Sequence, residues 1–168
     1  MARCRTGVHW LWVFVVIAIG SMVTYSNCAA EQIKFADWVG VEEMDPAVNK
    51  KSRQIGTFAK DGISSLWLAQ PVAGEDRILL TLKSKKKIAS EYFSYRIDRV
   101  DTLVIRSAIK ACESNCLEDF VLRNGELIKT MKRGLRIEFE YDSDPDIAQQ
   151  PTFSLRGFSR AYNWLLSE

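Results

Sequence analysis

Apolar and polar positions alternate with a period of two through much of the chain. Leu135-Arg136-Ile137-Glu138-Phe139-Glu140-Tyr141 is the clearest run: apolar residues leave one face and charged residues the other, the pattern of a half-buried strand. Leu66, Leu68 and Gln70 alternate with Trp67 and Ala69. Ile78-Leu79-Leu80-Thr81-Leu82 is apolar enough for a strand buried on both sides. Tyr92 to Ile97 is aromatic and β-favouring, with Phe93, Tyr95 and Ile97 on one face. Further strands are expected over 32–41, 54–59, 102–105 and 117–122. Lys60-Asp61-Gly62, Ala73-Gly74-Glu75-Asp76 and Asp142-Ser143-Asp144-Pro145 supply turns between them. Many short strands at this spacing predict a mainly β chain, an antiparallel sandwich or barrel.

Two stretches change period. Residues 124–133 predict a short helix with Leu127, Ile128 and Met131 on one side. Asn124 is expected to cap its start, Lys132 and Arg133 suit its carboxyl end, and Gly134 is expected to stop it in a left-handed conformation. A second helix is expected over about 157–166, where Phe158, Ala161, Tyr162 and Leu165 fall at helical spacing and would dock on the sheet.

The amino end follows a different plan. Arg3 and Arg5 precede the apolar run Val8 to Val23, and Cys28-Ala29-Ala30 ends in small residues. Basic, apolar and small segments in that order predict a secretory signal peptide over residues 1–30, cleaved after Ala30 or one residue earlier. An uncleaved membrane anchor over Leu11 to Val23 is the alternative; the run is shorter than the span of about 20 residues that crosses a bilayer. Tyr25-Ser26-Asn27 does not suit a lipoprotein signal ahead of Cys28. Residues 31–168 are expected to form one domain, with no repeat or linker inside it.

Composition then narrows the chemistry. The chain has 168 residues, 47% of them apolar and 26% charged, an ordinary globular balance. Its formal charge is +2, and loss of Arg3 and Arg5 with the leader brings this to zero. A neutral domain gives no electrostatic case for nucleic acid or an anionic membrane; membrane contact is expected only through an uncleaved amino end. The single histidine, His9, lies in the leader. A mature chain without histidine cannot build a Ser-His-Asp, Cys-His or His-ligated metal site. No cofactor, metal ligand or catalytic residue is expected.

The local candidates are few. Cys112 and Cys116 enclose Glu-Ser-Asn, and in an exported protein two such cysteines are expected to pair. A redox-active dithiol is the alternative, although three residues, not two, separate the sulfurs and no histidine flanks them. Lys83, Lys85, Lys86 and Lys87 form a candidate basic contact patch for an acidic partner; otherwise they would solvate a hairpin tip or blunt a sheet edge. Asp142, Asp144 and Asp146 resemble the start of a calcium loop, yet Pro145 and Phe153 occupy positions that such a loop cannot accept, and a solvated acidic turn is expected. Ser84-Lys85-Lys86-Lys87 contains S-x-x-K without its companion motifs. Trp38, Trp67 and Trp164 are expected in packing roles. Glu42-Glu43 and Glu118-Asp119 are adjacent on strands, so their carboxylates should diverge.

The assembled motifs resemble the invasion-associated locus B family of exported alphaproteobacterial proteins. Phe35-Ala36-Asp37-Trp38 is similar to the family's Asp-Trp strand, and Cys112 to Leu117 to its paired cysteines. Phe153-Ser154-Leu155-Arg156-Gly157-Phe158-Ser159-Arg160-Ala161 is similar to its closing Ser-Leu-x-Gly-Phe-x-x-Ala signature. The chain departs from the family pattern in lacking an early cysteine pair, in Asn115 where glycine is usual, and in its lysine run. The resemblance implies an immunoglobulin-like antiparallel β-sandwich, exported to the periplasm, outer membrane or cell surface, with a name tied to host-cell invasion. It supplies no catalytic residue.

The expected function is a non-catalytic envelope protein that works by contact with an unidentified protein at the envelope or host surface. The alternatives are an accessory subunit anchored by residues 1–30 and a periplasmic thiol–disulfide protein.

Overall fold

In a computed structural model the described residues are 31–45, 50–70, 76–99, 104–107, 115–143 and 147–167. The expected leader lies outside them. The chain is mainly β, two antiparallel sheets with two helices, as the period-two pattern predicts. Strands β1 (Glu31–Phe35), β2 (Trp38–Asp45), β3 (Lys50–Phe58), β4 (Ser64–Ala69) and β5 (Arg77–Ser84) run as a meander. The chain crosses to the second sheet for β6 (Tyr92–Ile97) and β7 (Val104–Ser107), then returns for β8 (Cys116–Leu122), which pairs with β5. Helix α1 (Glu126–Arg133) carries it back to β9 (Arg136–Ser143), which pairs with β6, β10 (Ile147–Gln149) and β11 (Thr152–Ser154). Helix α2 (Phe158–Leu165) follows.

The core lies between the sheets. Ile55, Leu66, Leu68, Ile78, Leu80, Leu82 and Leu117 of the first sheet are fully buried, as are Ile137, Phe139 and Phe153 of the second. Phe139 is central, with its ring 5.7 Å from Phe93, 6.0 Å from Tyr95 and 5.8 Å from Phe153. Each helix closes the core with one stripe: Leu127, Ile128 and Met131 from α1, and Phe158, Ala161, Tyr162 and Leu165 from α2. Among the described residues, no helix is long and apolar enough to cross a membrane.

Several local expectations are corrected. Residues 32–41 are not one strand but a hairpin broken at Ala36-Asp37, with Phe35 opposite Trp38. Ala36 takes φ +57° there, a conformation costing an L-residue about 1 kcal/mol. Strand β3 begins before residue 54, because Lys51 and Arg53 pair across the ladder with Glu42. Asn124 does not cap α1; Gly125 stands at its start and makes no side-chain cap. Gly134 is extended at φ −78°, not left-handed. It is required for space: a Cβ there would lie 2.5 Å from Ile97 Cγ2 and 3.0 Å from Leu155 Cδ1. Strands β10 and β11, absent from the expectation, are three residues each, too short to show a period.

The two motifs most distant in sequence meet in space. Trp38, wholly buried, donates from Nε1 to the Ser154 carbonyl at 2.9 Å. Ser154 Oγ donates to Asp37 Oδ2 at 2.7 Å, and the Asp37 amide donates to the Arg156 carbonyl at 3.3 Å. Thr57 Oγ1 donates to the Asp37 carbonyl at 2.8 Å. Trp38 also stacks on Phe158, centroid to centroid at 5.0 Å. The Asp-Trp hairpin and the closing Ser-Leu-x-Gly-Phe segment therefore form one lock, with Trp38 buried and Asp37 at the surface, between distant parts of the chain.

Candidate functional site

The outward faces of the two sheets differ in kind. On the second sheet, Arg96 of β6 pairs with Glu138 of β9, and Arg136, Glu140 and Asp142 are exposed. That is the solvated face expected of an antiparallel sheet. On the first sheet, strand alternation puts Phe58, Trp67, Leu79, Phe120 and Leu122 outward, on the same side as Gly56, Thr81, Lys83 and Glu118. Phe58 is 63% exposed, Phe120 40% and Leu122 59%. This outward face is therefore more apolar than the solvated face of the second sheet.

Local structure fixes this platform. Trp67 of β4 lies opposite Gly56 of β3, and any side chain on Gly56 would overlap the indole. The ring therefore lies flat on the sheet, its Nε1 donating to Ser65 Oγ at 3.1 Å. Phe58 meets it edge-on, with centroids 6.2 Å apart and planes at 87°. Lys83 Nζ stands over the indole 5.8 Å from its centroid, and the Arg77 guanidinium stands over Phe120 at 5.1 Å. Both distances are within cation–π range.

Lys83 and Lys85 join this face. Lys83 is on the outward side of β5, in register with Ser65 of β4 and Cys116 of β8. Lys85, Lys86 and Lys87 are exposed in the connection that leaves β5 for the second sheet. They occupy neither a hairpin tip nor a sheet edge, since β5 lies between β4 and β8 and its next strand belongs to the other sheet. The connection is held by the Ser84 amide on the Asn115 carbonyl (2.9 Å), the Lys85 amide on the Ile63 carbonyl (3.1 Å) and the Lys86 amide on Ser84 Oγ (3.1 Å). Lys86 Nζ reaches Gln149 Oε1 at 3.3 Å. The Ile63 contact places Lys85 at the end of the sheet where Phe58 enters its turn.

The remaining candidates separate. Cys116 is 1% exposed and disulfide-bonded; its partner, like Cys112, lies outside the described residues. Trp38 is core, and Trp164 of α2 is partly buried against Phe35, 5.8 Å between centroids. Glu118 is in register with Thr81 and accepts from its Oγ1 at 3.0 Å, whereas Asp119 is in register with Leu80. Those two carboxylates leave the strand on opposite sides. Asp142 is exposed, and Asp144 and Asp146 lie outside the described residues. Among the described residues no group of three or more His, Cys, Asp or Glu could hold a metal ion.

Among the described residues, Glu42 and Tyr162 have displaced acidities. Lys51, then Arg53, hydrogen-bond Glu42 and hold its carboxyl below the usual range. Burial raises the Tyr162 phenol to about 12; its hydroxyl donates to the Arg123 carbonyl at 2.7 Å. Both tie secondary elements together, and neither borders the outward face of the first sheet. The exposed aromatics escaped the sequence reading, although the phase of β3 betrays one: Ile55 and Thr57 point inward, so Phe58 must point out.

Fold and surface define an antiparallel β-sandwich with one charged and one aromatic outer face. The sequence matches no family model. No curated protein is significantly similar to it in sequence. Among solved structures, invasion associated protein B from Bartonella henselae has the same fold, with a TM-score of 0.62 at 12% identity over 82% of this chain and 96% of that one.

Proposed function

We propose that this chain is an exported, non-catalytic protein of the cell envelope, related to the invasion-associated locus B proteins, and that it works by binding another protein. The outward face of the first sheet carries the reading. Its aromatic platform joins exposed Phe58 to a half-buried Trp67 fixed over Gly56, as an interface anchor should be. The fold shared with invasion associated protein B supports the relationship, and the Asp-Trp and Ser-Leu-x-Gly-Phe segments fit it. The basic, apolar and small segments of residues 1–30 support export, and burial of Cys116 supports a structural bridge to Cys112 over an exchanging dithiol, because exchange needs access to sulfur.

A photo-crosslinking residue placed at Phe58, and separately at Tyr92 on the outward side of the second sheet, tests the reading in the native envelope. Heteromeric adducts from position 58 but not from position 92 are expected. Equal adducts from both, or none from 58, would overturn it. Intact mass tests export: the mature chain should begin at Glu31 and weigh two mass units less than its fully reduced form.

A further inference from the structure

We infer that the occupant of the first sheet's outward face is an acidic polypeptide segment, its apolar side chains seated on Phe58 and Trp67 and its carboxylates facing Lys83 and Lys85. The inference rests on the contact reading above and adds the chemistry of the partner. Charge complementarity carries it. Lys83 occupies the same outward row as Phe58 and Ser65. The Lys85 amide bond to Ile63 brings exposed Lys85 to that end of the sheet, whereas Lys86 Nζ reaches Gln149 of the second sheet. The carboxylates nearest that end are engaged locally: Glu118 accepts from Thr81 Oγ1, and Asp61 accepts from the Ile63 and Ser64 amides and Ser64 Oγ; Glu43, in register with Ser52, lies toward the opposite end of the ladder. One end of an apolar face is thus basic, and a segment that satisfies both halves must be acidic and apolar together. The lysine end steers encounter and sets polarity, and the aromatic pair supplies the desolvated contact.

A polypeptide fits better than a bilayer. Membrane-surface binding needs aromatic side chains that project about 5–10 Å into the interface. Trp67 does the reverse, lying flat over Gly56 with Nε1 tied to Ser65. A small free anion would use the lysines and leave the platform uncovered.

The test uses the full mature protein and two labelled probes: a soluble peptide repeating Glu-Glu-Phe-Glu-Leu, and the same repeat with lysine for glutamate. Phosphatidylglycerol vesicles serve as a third probe. Fluorescence anisotropy should show the acidic peptide binding at least about ten-fold more tightly than the basic one, and weakening as salt rises. The double charge reversal Lys83→Glu, Lys85→Glu should abolish that preference. Phe58→Ser should weaken the acidic probe without reversing the preference. These residues are exposed, so the fold survives their substitution, and the salt titration of the unaltered protein gives an answer that depends on no variant. Failure of the acidic peptide to bind more tightly than the basic one overturns the inference, as does a preference that survives the charge reversal. Vesicle binding lost in Phe58→Ser, with neither peptide bound, replaces the polypeptide by a membrane. Heteromeric crosslinking from position 58 together with no acidic preference sinks the partner chemistry alone and leaves the contact reading standing.

Discussion

Gly157 is pressed against the backbone of Phe35: a Cβ at position 157 would overlap the Phe35 carbonyl oxygen and crowd Ala36 Cβ. Gly157 also takes φ +93°. Steric and conformational constraints therefore coincide where the closing segment crosses the first hairpin. Gly157→Ala should cost about 3 kcal/mol or more in urea unfolding. Gly62→Ala is the control: it shares a positive φ, +67°, but has nothing within 4 Å of its Cβ. Its cost should be about 1 kcal/mol, and equal costs at both positions would argue against the packing explanation.

Trp38→Phe keeps most of the buried ring but removes the donor to Ser154. The Ser154 carbonyl loses its indole partner inside the lock, and a small void opens beside Phe158. A loss of about 2 kcal/mol is expected. Coupling to Asp37→Ala in a double-mutant cycle should be clearly non-zero, because both residues engage Ser154.

Gly56→Ala reaches the outward platform without touching the core. The new methyl displaces the Trp67 indole from the sheet, and Lys83 loses the ring beneath it. Stability should change by about 1 kcal/mol or less, while crosslinking from position 58 falls several-fold. Unchanged crosslinking would show that the flat indole is not required.

Alkaline pH offers a test of α2 docking. Tyr162 is neutral in the folded chain up to about 12, against 10.0 for a free phenol. Between those values the unfolded chain has released a proton that the folded chain retains, so stability falls as pH rises. The loss should reach about 2 kcal/mol. Tyr162→Phe, compared with the unaltered chain by chemical denaturation at each pH, should lack this component.

Acid acts at the other side of the same helix. Glu42 is held below its usual range by Lys51 and Arg53, and Arg53 in turn donates to the carbonyls of Trp164 and Ser167. The lowered acidity means that the stabilisation is present above the unfolded value near 4.5 and is lost as pH falls through the folded one. Glu42→Gln should remove that part of the acid dependence of the unfolding midpoint.

Much of the architecture was legible in the sequence because strands with one buried face must alternate. The run Leu135 to Tyr141 announced β9, and the stripes Leu127, Ile128, Met131 and Phe158, Ala161, Tyr162, Leu165 announced both helices. The hairpin at Ala36-Asp37 was not legible. Asp37 alone is a weak signal between two apolar stretches, Ala36 is a poor turn former, and Ala36 sits left-handed beside Gly157 of the closing segment. Gly134 and Gly56 were opaque for the same reason, since each makes room for a residue distant in sequence. The lysine run was visible as charge, but the place of Lys85 at the Phe58 end of the sheet depends on the Lys85–Ile63 hydrogen bond, which no local pattern encodes.

The lock between Asp37, Trp38 and Ser154 also has a temporal meaning. Its halves lie more than a hundred positions apart, with nearly all of the domain between them, so loop closure of that size must precede their reward. A chain emerging amino end first carries an unclosed indole until its last strand and helix have been made. Completion of the sandwich therefore waits for β11 and α2, which supply Ser154 and Phe158 to the indole.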